Sequence, residues 1–319
     1  MAANDQKIII GSRGSELALW QSNWVKAKLE RFSPKTKVDL VIIKTTGDTI
    51  LNSPLSKIGD KGLFTKELEI ALLNNEIDIA VHSLKDVPTQ IPAGLSIGAV
   101  TARADVRDVF IKHPQKTYTH FEDIPRGAKI ATGSLRRKCQ LLNWRPDLEI
   151  IDLRGNLNTR FAKLDASDWD GMVLAQAGVY RLGLQERITE ILPVEKILPA
   201  VGQGALAIEI RENHTWARNH VRKLASYATE ISTNGERAFL HFLEGGCQVP
   251  IGTYGRIENN IFHLDGMIGS LDGKKIVRGS VHGEPEQSEQ LGITLAETLY
   301  RSGGKEILEQ VRITERTEE

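Results

Sequence analysis

The chain has 319 residues, with 41 basic and 41 acidic side chains, 40% hydrophobic residues and two cysteines. That length predicts two or three domains, and the balanced charge gives no bulk electrostatic case for nucleic acid or a membrane surface as a partner. Two cysteines exclude a disulfide framework and a cysteine-rich zinc site, and the eight histidines lack paired ligand spacing, so no metal is expected.

The first residues, Met1-Ala2-Ala3-Asn4-Asp5-Gln6-Lys7, carry no apolar run of the secretory kind, and no segment approaches the ~20 apolar residues of a membrane span, so a cytoplasmic protein is expected. Residues 7–10 are a β-branched strand. Residues 15–32 place Leu17, Trp20, Trp24, Val25 and Leu29 at helical spacing. A strand over 38–44, a helix over 63–73 and a buried strand over 78–82, stopped by the turn around Pro88, continue the alternation. Such a pattern predicts a mostly parallel sheet with helices on both faces. It restarts with a strand at 129–131, a helix at 134–144, a strand at 149–153, a helix at 157–164 and a strand at 171–175. Two α/β units joined near 102–107, with a cleft between two lobes, follow from the repeat. From about Glu230 the character changes to a helix over 235–243, strands over 249–256, 261–268 and 275–281 with Asp272-Gly273 as a hairpin turn, and helices over 286–300 and 305–311. This is a third, smaller α+β domain.

Ligands in open α/β sheets bind beyond the carboxyl ends of strands, and the conspicuous polar residues fall there. Between Arg126 and Lys163 nine Lys or Arg stand against three Asp or Glu. Arg136 and Arg137 open a helix after Thr132-Gly133-Ser134, and Arg154 and Arg160 flank the start of the next. Guanidinium forks at helix N-termini suit a polyanion, although a solvated basic face reads the same way. Asp86, in Ser83-Leu84-Lys85-Asp86-Val87-Pro88, is either a proton shuttle and cation stabiliser or a turn-forming Asp. Cys247, in Glu244-Gly245-Gly246-Cys247, is a thiol open to chemistry or an incidental residue of a helix-terminal turn, whereas Cys139 reads as a helix-face residue. Gly202-Gln203-Gly204-Ala205-Leu206-Ala207 fits a dinucleotide fingerprint in letters only, because the residues after it alternate as a strand. A two-lobed, non-catalytic anion-binding protein and a cysteine hydrolase using His241 remain open on these residues alone.

Seven segments in order carry a more specific signal. Arg13-Gly14-Ser15-Glu16-Leu17-Ala18-Leu19-Trp20-Gln21, Lys61-Gly62-Leu63-Phe64, His82-Ser83-Leu84-Lys85-Asp86-Val87-Pro88, Ser134-Leu135-Arg136-Arg137, Leu153-Arg154-Gly155-Asn156, Pro199-Ala200-Val201-Gly202-Gln203-Gly204 and Glu244-Gly245-Gly246-Cys247 resemble the porphobilinogen deaminase (hydroxymethylbilane synthase) family over essentially the whole chain.

The resemblance implies a transferase that joins four porphobilinogen molecules head to tail with release of ammonia. Hydrolysis then gives hydroxymethylbilane, which passes to the next enzyme of haem and chlorophyll-type tetrapyrrole synthesis. It implies a monomer with two type II periplasmic-binding-protein-like α/β domains (1–103 with 202–222, and 104–201) and a C-terminal α+β domain (223–319) with a three-stranded antiparallel sheet. It implies Asp86 as the catalytic carboxylate and a dipyrromethane cofactor attached through Cys247. The cofactor and substrate contacts implied are Arg13, Ser15, Lys61, Phe64, Ser83, Lys85, Thr132, Ser134, Arg136, Arg137, Arg154, Gly155, Asn156, Arg160, Arg181 and Gln203, with Lys57 and Lys61 on a covering loop. Where the family commonly has Gly-Thr-Ser-Ser this chain reads Ala131-Thr132-Gly133-Ser134, so a hydroxyl is missing at Gly133.

Overall fold

The computed structural model describes residues 7–49, 62–243 and 249–317. In chain order it runs β1 (Lys7–Ser12), α1 (Glu16–Phe32), β2 (Lys37–Ile42), a single turn α2 (Thr46–Thr49), α3 (Lys66–Leu73), β3 (Ile79–Ser83), β4 (Leu95–Val100), β5 (Asp108–Lys112), β6 (Lys129–Ala131), α4 (Leu135–Trp144), β7 (Glu149–Ile151), α5 (Leu157–Asp165), β8 (Gly171–Ala175), α6 (Gln176–Arg181) and β9 (Glu190–Ile191). It continues with β10 (Leu206–Arg211), α7 (Thr215–Val221), α8 (Tyr227–Phe242), β11 (Ile251–Glu258), β12 (Ile261–Gly269), β13 (Ile276–Gly283), α9 (Ser288–Leu299) and α10 (Lys305–Thr317). The described residues fall into two compact units, one of 7–49, 62–104 and 204–230, the other of 105–203, 231–243 and 249–317.

The first unit is built on a five-stranded sheet of order β2-β1-β3-β10-β4. β1 pairs in parallel with β2 and β3, while β10 is antiparallel to both β3 and β4, so four strands run one way and β10 the other. Strand alternation sends Ile8, Ile10, Ile79 and Val81 to one face, where Val25 and Leu29 of α1 and Val221 of α7 cover them. Ile9 and Ala80 face the other way, onto Leu68 and Leu72 of α3.

The second unit holds a sheet of the same design, in order β7-β6-β8-β5-β9. β6 is parallel to β7 and β8, and β5 is antiparallel to β8 and β9. Both sheets share one strand sequence, three parallel neighbours followed by one reversed strand and an edge. Its one reversed strand qualifies the parallel sheet that the alternating pattern predicts. The same unit carries the antiparallel sheet β11-β12-β13, packed through Phe262, Leu264 and Ile268 onto Phe239 of α8, Leu295 and Leu299 of α9 and Leu308 of α10. Full burial of each such side chain contributes roughly 1.5–3 kcal/mol.

Two boundaries differ from the sequence reading for identifiable reasons. Residues 62–65 form a tight turn, with the Thr65 and Lys66 amides donating to the Gly62 carbonyl, so α3 begins at Lys66 and not at Leu63. The helix expected from Gly235 begins at Tyr227. Gly235 lies inside it as a packing residue, since a Cβ there would stand 2.5 Å from the Phe262 ring. Strands β4, β5 and β9 lack a marked sequence signal and were not expected.

Candidate active site

In the first unit, the ends of β1 and β3 and the start of α1 line an open pocket. Ser15 is the N-cap of α1, its hydroxyl accepting from the Ala18 amide at 3.4 Å. The 17-residue helix that starts after Ser15 brings the positive end of its dipole to the pocket wall. Arg13 precedes it, with its guanidinium carbon 4.2 Å from the centroid of the Phe64 ring. Ser83 closes β3 and accepts from Gln21 Nε2 at 2.8 Å. Beyond it Leu84–Asp86 makes one 3-10 turn in which Leu84 is buried and Asp86 exposed, so the apolar residue fixes the turn and the carboxylate looks outward. Arg13, Ser15, Gln21, Phe64, Ser83 and Asp86 all line the one pocket. It offers a cation and an anion side by side, which suits a ligand that itself carries both signs. Lys85 shares the turn but is exposed and does not line the pocket.

The second unit assembles its arginines around a residue the sequence reading passed over. Asp108 is the first residue of β5 and is fully buried. Arg136 Nη2 stands 2.9 Å from Asp108 Oδ2, Arg137 Nη2 2.8 Å from Oδ1, and Gln203 Nε2 2.9 Å from Oδ1. Arg136 also donates to the Leu198 carbonyl at 2.6 Å and Arg137 to that of Val173 at 3.3 Å. Burial opposes the charge of Asp108, but the two guanidiniums hold its carboxyl well below the usual range. Arg136 in turn has its pKa lowered by burial, partly offset by Asp108.

Two guanidiniums share one carboxylate, and the Nε of each is buried without a partner among the described residues. The charge of the two guanidiniums exceeds that of Asp108 by one. Sequence placed Arg136 and Arg137 on an anion-facing helix start; the structure buries both at 5% exposure and spends part of each fork on Asp108.

Around this hub, Ser134 caps α4 by accepting from the Arg137 amide at 3.4 Å, and Thr132 Oγ1 accepts from the Ser134 amide at 3.4 Å. The adjoining loop after β7 comes close, since a Cβ on Gly133 would lie 2.4 Å from the Leu153 carbonyl oxygen. There Gly155 adopts φ +111°, open in practice only to glycine, and Asn156 caps α5 by accepting from Thr159 N at 2.9 Å. Arg160 Nε donates to the Gly155 carbonyl at 2.8 Å, and Arg154 keeps a loose 3.5 Å contact with Asp152. Arg181 ends α6, and burial pushes its pKa down to about 10. Cys247 and Lys61, and Lys57 with them, lie outside the described residues. Cys139 is sealed in the interior, with its thiol pushed up to about 12, as a packing residue should be. The glycines at 202 and 204 precede strand β10, not a helix, so no dinucleotide motif exists there.

Among the described residues no group of three or more His, Cys, Asp or Glu is placed to hold a metal, and no helix is long and apolar enough to cross a membrane.

Known proteins match this chain along most of its length. A family model described as "Porphobilinogen deaminase, dipyromethane cofactor binding domain" matches residues 8–219, and one described as "Porphobilinogen deaminase, C-terminal domain" matches residues 231–301. The chain is 53% identical over 312 residues to a porphobilinogen deaminase of Chlorobaculum parvum, covering 97% of this chain and 99% of that one. It is 51% identical over 313 residues to that of Chlorobium phaeobacteroides, covering 97% and 99%. With the protein of that name from Carboxydothermus hydrogenoformans it shares 50% over 307 residues, covering 96% and 98%.

Proposed function

The chain belongs to the porphobilinogen deaminase family, and from that premise we propose how its residues divide the work. The activity is the stepwise joining of four porphobilinogen molecules on a dipyrromethane primer, with loss of ammonia, then hydrolysis to hydroxymethylbilane for tetrapyrrole synthesis. Porphobilinogen carries an ammonium and two carboxylates. The mixed charge of the first unit's pocket matches it: Arg13 and the capped start of α1 take carboxylates, and Asp86 faces the reacting end.

Asp86 is the catalytic residue of this reading. Departure of ammonia leaves a positive charge on the substrate ring, and an exposed carboxylate at the pocket wall opposes that charge where it develops. Ser83, steadied by Gln21, and Ser15 supply neutral hydrogen bonds that fix the ring beside it. Lys85 and Lys61 contribute charge from neighbouring positions in the sequence.

The second unit's residues suit the dipyrromethane cofactor, whose rings carry acetate and propionate groups. The buried, unpartnered Nε atoms of Arg136 and Arg137 and their uncompensated charge are what such carboxylates require. Thr132, Ser134, Gln203, Arg154, Gly155, Asn156, Arg160 and Arg181 complete this set. Dipyrromethane, when bound, supplies the primer from which synthesis starts. We assign its attachment to the Cys247 thiol through a thioether, and we assign the protein to the cytoplasm as a monomeric hydroxymethylbilane synthase that hands its product to the next enzyme of the pathway.

The observation that carries the reading is the convergence of Arg13, Ser15, Ser83 and Asp86, far apart in sequence, on one pocket. Intact mass spectrometry of the purified protein tests the attachment. The expected mass exceeds that of the sequence by one dipyrromethane, and the excess vanishes in Cys247→Ala. An active enzyme of unmodified mass would overturn it.

A further inference from the structure

His82 sits one residue before Ser83 on β3, is 5% exposed, and lines the same pocket as Asp86 and Arg13. Its Nε2 lies 2.9 Å from Glu209 Oε2. In the antiparallel pairing of β3 with β10, Ala207 faces His82 and Glu209 faces Ala80, so His82 and Glu209 are diagonal neighbours on one side of the sheet. Glu209 is fully buried, and its second oxygen has no partner among the described residues. Glu69 of α3 adds a further carboxyl, held above its usual range first by burial and then by the charge of Glu209. The charged groups around the imidazole are thus Glu209 from β10, Glu69 from α3, Arg13 from the β1–α1 connection, and Asp86 and Lys85 from the turn after β3. No described residue hydrogen-bonds its other ring nitrogen, Nδ1.

A buried ion pair contributes little stability over apolar packing, so a carboxylate–imidazole pair set in a pocket wall calls for another role. A carboxylate fixing one ring nitrogen of a histidine that lines a pocket is the arrangement of an oriented general base. Resting on the porphobilinogen deaminase reading, we infer that His82, oriented by Glu209, is a second proton acceptor of the reaction. Through Nδ1 it takes the proton released when each carbon–carbon bond forms. Porphobilinogen's ammonium departs as ammonia with the C–N bonding pair, and the attacking ring carbon supplies the pair for the new C–C bond. The C–H pair of that carbon returns to the ring as its proton passes to Nδ1. The imidazolium then gives the proton to ammonia, which leaves as ammonium, and the base is reset. Asp86 is left to oppose the cationic charge.

The test uses the cofactor-bearing enzyme as His82→Gln and Glu209→Gln, both near in size to the residues replaced. In His82→Gln, kcat falls by about 10²-fold with KM little changed, and the acid limb of the kcat–pH profile disappears. Deuterium at the free ring carbon of porphobilinogen slows this variant more than the wild type, because removal of that proton has become limiting. In Glu209→Gln kcat falls by a smaller factor, with KM again little changed, because the ring is no longer held by a carboxylate. The NMR resonances of the His82 ring, independent of turnover and measurable even where His82→Gln folds poorly, shift in Glu209→Gln as the imidazole loses that partner. An unchanged kcat and isotope effect in His82→Gln, or His82 ring resonances that Glu209→Gln does not move, overturns the proposal while leaving the family activity intact. A wild-type protein that does not consume porphobilinogen brings down both.

Discussion

Asp86 and Asp108 are both aspartates at strand ends with arginines for company, yet the fold treats them oppositely. Asp86 stands exposed on a turn at the rim of an open pocket that it shares with Arg13. Asp108 is sealed beneath Arg136, Arg137 and Gln203. A carboxylate in contact with solvent can meet a charge that forms during a reaction. One buried under two guanidiniums has already committed its charge and serves to hold those guanidiniums in place. We assign chemistry to the first and preorganised binding to the second.

The sharpest way to break this contrast is to neutralise each aspartate in turn. Asp86→Asn is expected to lower kcat by about 10²–10⁴-fold with an unchanged melting temperature, since nothing in the fold leans on an exposed carboxylate. Steady-state kinetics beside a thermal melt decide it, and a loss of stability matching the loss of activity would erase the distinction. Asp108→Asn is expected to do the reverse. It strands two buried guanidiniums and costs about 3–5 kcal/mol, read by denaturant unfolding.

The pH dependence has a definite sign. The native pKa of Asp108 lies below the unfolded value of about 3.9, so its contribution to stability is fully present above that value. It is lost as pH falls toward the native pKa. Acid unfolding profiles of wild type and Asp108→Asn should therefore converge below about pH 4 and stand apart above it.

The two aspartates were also unequally legible. Asp86 follows a parallel strand, where polar residues at carboxyl ends announce a site. Asp108 opens β5, which runs antiparallel to β8, pairing Asp108 with Ala175. A reversed strand brings its first residue, not its last, to the edge where its neighbours end, and strand direction is not written in local sequence. For the same reason the burial of Arg136 and Arg137 is not legible beside their helix start: it depends on a carboxylate 28 and 29 residues earlier in the chain. His82 lay within a quoted segment, but its partner Glu209 is 127 residues away. Helices α1, α4 and α5 and strands β1, β2, β3, β6, β7 and β8 were legible because their apolar spacing is local, and so was the turn that holds Asp86. The covering loop and the Cys247 loop fall outside the described residues.

Gly133 tests the same contrast at smaller scale. The family pattern favours serine there, but in this chain an added Cβ would meet the Leu153 carbonyl oxygen at 2.4 Å. Gly133→Ser is expected to destabilise by about 1–3 kcal/mol as the β6 and β7 loops are forced apart. A neutral result would show that these loops yield easily, and so that the arginine hub is less rigid than its burial implies.

The smallest effects come from the two serine caps, and they separate the regions most cleanly because their structural roles match. Ser15 caps α1 and Ser134 caps α4, each by accepting one backbone amide at 3.4 Å. At that length either Ser→Ala change costs toward the low end of the capping range, about 0.5–1 kcal/mol. Ser15 also lines the open pocket, so Ser15→Ala should raise KM for porphobilinogen severalfold. Ser134 sits at the hub assigned to the cofactor, so Ser134→Ala should leave KM nearly unchanged while lowering the fraction of protein that carries dipyrromethane, read by intact mass. Equal kinetic effects from the two changes would mean that the open pocket and the buried hub do not divide substrate from cofactor as their charge and burial imply.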